Sequence, residues 1–298
     1  MTEVLSVGFA GIGRMGRPMA ANVAKAGFPL TVWNRTREKA DELAAETGAV
    51  VAGTPAGLAG CDVIITMLAD WKATEPVYSG PEGLVGALKP GTICIDMSTM
   101  APSQARFLAE RVAAKGGSFL DCPVSGSIAL ATAGTLTLMV GGDAGTLEKV
   151  RPLLAAMGAK IYHMGGTGTG STIKLAVNSI IFALGEAVSE ALVMAERAGV
   201  ARSTAYEVFA NSAISAPFVQ YRREAYERPG EIPVALRMVL AVKDLDLALA
   251  LAREVGAPLP QAAVNRGIYQ EAADAGFSDW DMSSVAEYFR RKAEKPAL

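Results

Sequence analysis

One feature constrains the fold of this chain more than any other, a glycine loop near its N-terminus. The loop has GxGxxG spacing and is formed by Gly11, Gly13 and Gly16. It follows an apolar run at residues 4–10 that predicts a buried strand, and residues 19–26 after it predict the start of a helix. A second strand is predicted at residues 30–33. A strand, tight turn, helix and strand within about 30 residues predict a dinucleotide-binding βαβ unit.

Each of the three glycines has a distinct structural role in such a loop. The first allows the tight turn, the second lets the backbone approach a pyrophosphate, and the third lets helix and strand pack closely. The N-terminus of the following helix offers unpaired amide donors and the positive end of its dipole to the anion. We therefore expect the loop to bind the diphosphate of a dinucleotide.

The residues after the second strand indicate which dinucleotide binds. NAD sites usually have an acidic residue there, about 20 residues after the loop, which holds the ribose 2′-hydroxyl. This chain has Asn34 instead, followed by Arg35 and Thr36. A guanidinium fork and a hydroxyl suit a 2′-phosphate, which a carboxylate would repel. The sequence thus predicts NADP(H) in preference to NAD(H), although these cations could instead simply solvate the start of the next helix.

Composition excludes several classes of function. The 298 residues are 51% hydrophobic and 19% charged, which allows a large core and an oligomer interface. A formal net charge of −2, with no basic stripe, argues against a nucleic-acid partner. The three cysteines are far apart and there is one histidine, so no metal site is expected. No signal-like or membrane-spanning segment is recognised, and a cytoplasmic location is expected.

Strands and helices alternate as far as residue 164, which is the rhythm of a doubly wound sheet. Glycines at residues 165–170 interrupt it, and the rest of the sequence reads as helical. We predict an α/β fold with a Rossmann dinucleotide-binding domain at residues 1–164. An all-helical substrate and oligomerisation domain follows at residues 165–298. Its first helix, predicted at residues 171–198, is apolar on nearly every side and is expected to be buried.

Lys174 and Asn178 stand out on this apolar helix, because their spacing of four places them on one helix face. Burial and a position near the helix N-terminus would both lower the pKa of a lysine. A lysine of that kind can act as a general acid or base near neutral pH. The alternative is that Lys174 only extends its ammonium group into solvent from the first turn of the helix.

Several motifs in this order resemble the β-hydroxyacid dehydrogenases, which include 3-hydroxyisobutyrate dehydrogenase and glyoxylate/succinic semialdehyde reductases. The resemblance covers nearly the whole chain. It rests on a set of short segments: residues 11–22, 33–36, 67–70, 96–99, 121–126, 134–142, 168–178 and 243–248.

The resemblance implies a role for individual residues. Lys174 would be the acid/base and Asn178 its catalytic partner. The implied substrate-binding residues are Ser125, Gly126, Ser127 and Lys243. The implied cofactor-binding residues are Gly11, Gly13, Arg14, Met15, Gly16, Asn34, Arg35, Thr36, Met67, Leu68, Thr99 and Lys243.

Three positions depart from the pattern of the family. Ser127 and Leu130 replace glycines, and Val177 replaces the first of two asparagines on the catalytic helix. The added bulk favours a somewhat larger or less polar substrate than glyoxylate. Two alternatives stay open, an NADPH-dependent imine reductase on the same architecture and a non-catalytic NADP-binding scaffold. A homodimer or homotetramer that packs through the helical half is expected.

Overall fold

The computed structural model describes residues 4–294, and its contacts divide the chain into two compact units. The first unit ends at Lys174 and the second begins at Leu175. The first is a sheet with helices and the second is made of helices. The predicted class, a Rossmann sheet followed by an all-helical domain, is confirmed.

The first unit contains a nine-stranded sheet. The strands are β1 (Val7–Ala10), β2 (Leu30–Trp33), β3 (Val50–Val51), β4 (Val63–Thr66), β5 (Ile93–Asp96), β6 (Ser118–Asp121), β7 (Val124–Ser125), β8 (Leu136–Gly141) and β9 (Gly158–Gly165). Six parallel strands run in the order β3-β2-β1-β4-β5-β6. Strand β8 runs antiparallel to β6 and β7, and β9 pairs in parallel with β8. The strand order reverses at β1 and β4, which is where doubly wound sheets bind dinucleotides.

Alternation along the central strands supplies a core on each face of the sheet. Ile64 of β4 packs in one apolar cluster, whereas its neighbours Val63 and Ile65 pack in another. Strand β5 repeats the pattern, with Cys94 in one cluster and Ile93 and Ile95 in the other. Both faces are buried because successive side chains of a strand point to opposite sides. This explains why these strands are continuous apolar runs in the sequence.

Helices cover this sheet and also build the second unit. Those of the first unit are α1 (Gly16–Lys25), α2 (Arg37–Thr47), α3 (Trp71–Ser79), α4 (Leu84–Ala87), α5 (Pro102–Ala113), α6 (Ile128–Thr132) and α7 (Ala144–Ala155). Helix α8 (Thr169–Arg197) begins in the first unit and continues into the second. The second unit adds α9 (Arg202–Ala210), α10 (Pro217–Glu227), α11 (Met238–Val255), α12 (Pro260–Ala272) and α13 (Val285–Glu294). The sequence pattern predicts that this last helix extends from residue 283 to residue 295, and residue 295 lies outside the described residues.

A buried ion pair lies within the core of the second unit. Nη1 of Arg222 is 2.7 Å from each carboxylate oxygen of Asp281. The Asp281 carboxylate also accepts hydrogen bonds from the N–H groups of Ala235, Leu236 and Ser283. Since the Arg222 guanidinium and these amides favour the charged form, the pKa of Asp281 lies below its usual value despite burial.

The prediction that the long helix is buried on nearly every side is wrong. Ile180 and Met194 of α8 are each 69% exposed. The opposite face is in the core, where Phe182 and Leu192 are at most 1% exposed. The sequence pattern could not separate an apolar core face from an apolar surface face, because both carry the same residue types. By length and composition α8 is the one described helix that could cross a membrane, a test that core helices of soluble proteins also pass.

Candidate active site

The glycine loop lies at the carboxyl end of β1, where the backbone turns into α1. Gly11 has φ +101°, and a Cβ on it would lie 2.3 Å from the carbonyl oxygen of Met67. A Cβ on Gly16 would lie 1.9 Å from the carbonyl oxygen of Gly11. At Gly13, by contrast, no other described residue comes within 4 Å of the Cβ position. The first and third glycines are therefore required by packing, and the second faces open space where a pyrophosphate fits.

The side-chain amide of Asn34, just after β2, braces the glycine loop. Its Oδ1 accepts a hydrogen bond from the N–H of Ile12 at 2.9 Å, and its Nδ2 donates to the carbonyl of Thr36 at 2.7 Å. Arg35 and Thr36 are exposed beside it, as is Arg14 in the glycine loop. This arrangement presents cations and a hydroxyl, rather than a carboxylate, at the end of β2.

The loops that follow the adjacent strands β4 and β5 are joined by buried hydrogen bonds around Asp96. Oγ1 of Thr66 donates to Asp96 at 2.5 Å, and the N–H of Ser98 donates to it at 2.8 Å. Ser98 Oγ in turn accepts from the N–H of Leu68 at 2.9 Å. Burial raises the pKa of Asp96 to about 6. This network holds the two loops that carry the predicted cofactor residues Met67, Leu68 and Thr99.

The predicted substrate loop begins on β7, a strand absent from the sequence prediction. Ser125 pairs with Thr137 of β8, and Gly126 follows with φ +147°. Ser127 is the N-cap of α6, since its Oγ accepts a hydrogen bond from the N–H of Leu130 at 3.3 Å. The predicted substrate residue Ser127 thus has a local structural role. The side chain of Leu130 is 38% exposed and lies over Gly126.

The first turn of α8 is attached to the end of β6 through Asp121. Its Oδ1 accepts a hydrogen bond from the N–H of Gly168, and its Oδ2 accepts one from the N–H of Ser171, both at 2.7 Å. Lys174 lies on the next turn of this helix and is half-buried. The lysine is therefore carried by a helix whose start is fixed at the carboxyl edge of the sheet.

Asn178 lies one turn beyond Lys174 on α8, and it is 6% exposed. Its Nδ2 donates a hydrogen bond to Oδ2 of Asp244 at 2.7 Å. Asp244, on α11, also forms an ion pair of 3.0 Å between its Oδ1 and Nζ of the adjacent Lys243. The Asn178 amide is thereby oriented, with its Oδ1 directed away from the carboxylate.

The structure brings most of the predicted residues of the first unit to one edge of the sheet. Parallel strands β1, β4, β5 and β6 are neighbours; the glycine loop and the two loops with predicted cofactor residues follow the carboxyl ends of β1, β4 and β5, and Asp121 is the last residue of β6. Ligands of open α/β sheets bind at this edge. The second unit holds a separate group, formed by Asn178, Lys243 and Asp244.

Sequence reasoning missed three carboxylates that organise these groups. Asp96 and Asp121 are the last residues of the apolar strands β5 and β6. A carboxylate at the end of a buried strand is a sequence signal for a functional edge of the sheet. All three, Asp244 included, lie in segments that carry the family resemblance, residues 96–99, 121–126 and 243–248, but the resemblance implied no role for them. The hydrogen bonds of these carboxylates to Thr66, Gly168 and Asn178 span 30, 47 and 66 residues, so no local sequence pattern reveals these pairings.

Two further polar groups of the described residues form hydrogen bonds outside these clusters. The lone histidine, His163, makes a 2.8 Å hydrogen bond between its Nε2 and the carbonyl of Gly142. Tyr288 and Lys292 both bind the carboxylate of Glu271 on the surface of the helical unit. Among residues 4–294 no cluster of histidine, cysteine, aspartate or glutamate could hold a metal ion.

The fold and the glycine loop define a class, the NAD(P)-dependent dehydrogenases with a Rossmann domain followed by a helical domain. Two family models match in that order. Residues 6–166 match the NAD binding domain of 6-phosphogluconate dehydrogenase, and residues 168–289 match the NAD-binding domain of NADP-dependent 3-hydroxyisobutyrate dehydrogenase.

Individual proteins give the same result. The chain is 32% identical to 2-(hydroxymethyl)glutarate dehydrogenase of Eubacterium barkeri, covering 98% of this chain and 97% of that protein. It is 34% identical to glyoxylate/succinic semialdehyde reductase 1 of Arabidopsis thaliana, covering 95% and 98%. A 3-hydroxyisobutyrate dehydrogenase structure from Salmonella typhimurium superposes with a TM-score of 0.89 at 26% identity, covering 96% and 100%. An imine reductase from Pseudomonas sp., at 21% identity and a TM-score of 0.64 over 96% and 100%, shares the fold alone.

The chain belongs to the β-hydroxyacid dehydrogenase family. It is an oxidoreductase of the kind that acts on CH–OH groups with a nicotinamide cofactor.

Proposed function

We propose that the protein is an NADP(H)-dependent reductase and dehydrogenase that interconverts a small β-hydroxyacid and its semialdehyde or keto form. The observation that carries this proposal is the attachment of α8, the helix of Lys174, to the end of β6. That attachment brings the lysine-bearing helix to the edge of the sheet where the cofactor loops end. The buried free cysteines Cys61, Cys94 and Cys122 agree with the cytoplasmic location that we also propose.

The residues at the end of β2 support the preference for NADP(H). Both polar ends of the Asn34 amide are occupied by the backbone of Ile12 and Thr36. The exposed Arg35 guanidinium and Thr36 hydroxyl are then the groups available to a 2′-phosphate, and Arg14 is a further exposed cation in the glycine loop. A guanidinium binds phosphate oxygens through charge-assisted hydrogen bonds.

In the proposed mechanism the bound nicotinamide supplies or accepts the hydride. Lys174 donates a proton from Nζ to the oxygen of the forming alkoxide, and it removes that proton in the reverse direction. Asn178, oriented by Asp244, hydrogen-bonds to the substrate oxygen or to the lysine. Ser125 Oγ and the Gly126 N–H hold the substrate carboxylate, while Thr99 contacts the nicotinamide and Lys243 adds positive charge. Pre-positioned donors of this kind stabilise the charge that develops in the transition state.

Leu130 and Val177 support a substrate larger than glyoxylate. Leu130 lies against Gly126, one of the proposed carboxylate donors, and part of its apolar surface is exposed. Val177 places a branched apolar side chain beside Asn178 on α8. Both favour a substrate with an apolar portion larger than that of glyoxylate, because apolar ligand surface that contacts these side chains is removed from water.

The first experiment follows NADPH and NADH consumption against a panel of short carboxylated aldehydes and a few cyclic imines. Turnover of an acid-aldehyde with NADPH preferred supports the proposal. Turnover of imines alone would assign the protein to the second candidate, imine reduction, which the apolar Leu130 and Val177 favour. Tight NADPH binding without turnover of any compound would instead favour a non-catalytic scaffold.

A homodimer or homotetramer is proposed from the exposed face of α8. Ile180, Ala187 and Met194 are exposed at intervals of seven residues, which aligns them along one side of the helix. An apolar stripe of this kind is covered in helical assemblies by a second helix. Sedimentation of the wild type should show a dimer or tetramer.

A double variant, Ile180→Glu with Met194→Glu, should dissociate this assembly. Val50→Glu serves as the control, because Val50 is similarly exposed but lies on the sheet. A monomeric wild-type protein would contradict the proposal.

A further inference from the structure

Asp121 occupies an unusual position for a carboxylate, at the end of a central strand and 1% exposed. Burial alone disfavours its charged form and raises its pKa. Both of its oxygens are nevertheless used as acceptors for main-chain N–H groups, those of Gly168 and Ser171. These amides belong to the start of α8, where helical N–H groups have no partner within the helix. The carboxylate therefore caps a helix that is 47 residues further along the chain.

Close backbone packing reinforces this cap. A Cβ on Gly170 would lie 2.3 Å from the carbonyl oxygen of Met139 and 2.5 Å from that of Asp121. A Cβ on Gly141 would lie 2.5 Å from Oδ1 of Asp121 and 2.7 Å from the N–H nitrogen of Gly170. The first turn of α8 is thus pressed directly onto the ends of β6 and β8. The two hydrogen bonds to one buried carboxylate and these close backbone contacts together restrict how this turn can shift or rotate.

We propose that Asp121 is a positioning residue for the reaction: it sets the register of the first turn of α8 and thereby the place of Lys174. This inference rests on the proposed function, because it assumes that Lys174 transfers the proton. Asp121 itself does not need to touch the substrate. A change of about 1 Å in the placement of a catalytic group can lower the rate about 100-fold, so the cap is expected to matter for turnover.

The chain contains a matched control in Asp143, which caps α7. Its Oδ2 accepts a hydrogen bond from the N–H of Thr146 at 2.7 Å, as an N-cap carboxylate does. Helix α7 lies in the same unit and carries none of the proposed site residues. Asp143→Asn therefore removes a capping charge without disturbing the helix that carries Lys174.

The variants to compare are Asp121→Asn, Asp121→Ser and Asp143→Asn. In Asp121→Asn an amide NH₂ faces one of the two N–H donors, so one hydrogen bond is lost and two donors oppose each other. Asp121→Ser is smaller and keeps one acceptor, so it provides a second route to a folded protein. Each variant that binds NADPH with the wild-type dissociation constant is then assayed with the substrate found for the wild type.

We expect kcat of both Asp121 variants to fall by ~10- to 100-fold while NADPH affinity is retained. We also expect a larger solvent deuterium isotope effect on kcat, because proton transfer from a misplaced lysine becomes slower relative to the other steps. A loss of folded enzyme alone would lower the measured rate but leave the isotope effect unchanged. Asp143→Asn should retain the wild-type kcat and isotope effect.

The outcomes also separate this inference from the proposed function. A wild-type kcat and isotope effect in either folded Asp121 variant would overturn the positioning role, even if Lys174→Ala is inactive. Full turnover by Lys174→Ala would instead overturn the assignment of Lys174 as the proton donor, on which this inference rests, whereas a wild type that turns over no acid-aldehyde would overturn the proposed function itself. An equal loss of kcat in Asp143→Asn would show that the effect of Asp121 is a general consequence of removing a helix cap.

Discussion

Removing the Arg35 side chain should weaken binding of NADPH but not of NADH. In Arg35→Ala the 2′-phosphate loses the proposed guanidinium contact, whereas the 2′-hydroxyl of NADH never had it. A hydrogen bond to a charged group contributes about 1.5–3 kcal/mol, and Arg35 is exposed, which places the effect at the lower end. The expected result is a ~10-fold increase in the dissociation constant of NADPH, since 1.4 kcal/mol corresponds to a factor of ten.

The assay is a fluorescence titration of both reduced cofactors at low and high salt. Arg37→Ala is the matched control, because Arg37 forms an ion pair of 3.4 Å with Asp41 within α2. The effect of Arg35→Ala should shrink at high salt, as screening weakens an exposed charge pair. Equal weakening of NADH and NADPH binding, or the same loss in Arg37→Ala, would refute the assignment of Arg35 to the 2′-phosphate.

Two further predictions concern stability. Asp281→Ala leaves the buried Arg222 guanidinium without its partner and should lower the free energy of unfolding by about 3–5 kcal/mol in urea titrations; Asp281→Ala and wild-type midpoints that coincide would contradict this. Because the folded pKa of Asp281 is lowered, its contribution is present above the unfolded value of 3.8 and is lost as the pH falls through the folded pKa. Asp96 has the opposite effect on stability, because its folded pKa is raised to about 6. The free energy of unfolding should therefore fall as the pH rises from 3.8 to about 6, by ~1.4 kcal/mol per unit of pKa shift. Asp96→Asn should therefore flatten the dependence of stability on pH in this window, and an unchanged slope would show that the group does not titrate as described.

The local parts of the fold could be predicted because their physical causes are local. A GxGxxG loop between an apolar strand and a helix is a backbone requirement, and the structure meets it at Gly11 and Gly16 through close contacts. Asp143 likewise caps α7 as its sequence position predicts. The six parallel strands follow from alternating apolar segments and turns.

The parts that could not be predicted depend on contacts between distant residues. The caps that Asp121 provides to Gly168 and Ser171 arise only when the sheet and α8 have come together. The orientation of the Asn178 amide depends in the same way on Asp244, 66 residues away. Helix periodicity therefore indicated that Lys174 and Asn178 share a face, but it could not show what holds them.

The most direct test of the central claim is the rate of hydride transfer in a single turnover by Lys174→Ala, with NADPH saturating. Lys174→Arg serves as the control, since it keeps the positive charge but cannot release a proton near neutral pH. We predict that both variants bind NADPH normally and that both transfer hydride ~100- to 10,000-fold more slowly than the wild type, the usual contribution of a general acid. A wild-type rate in Lys174→Ala would contradict the assignment of Lys174 as the proton donor.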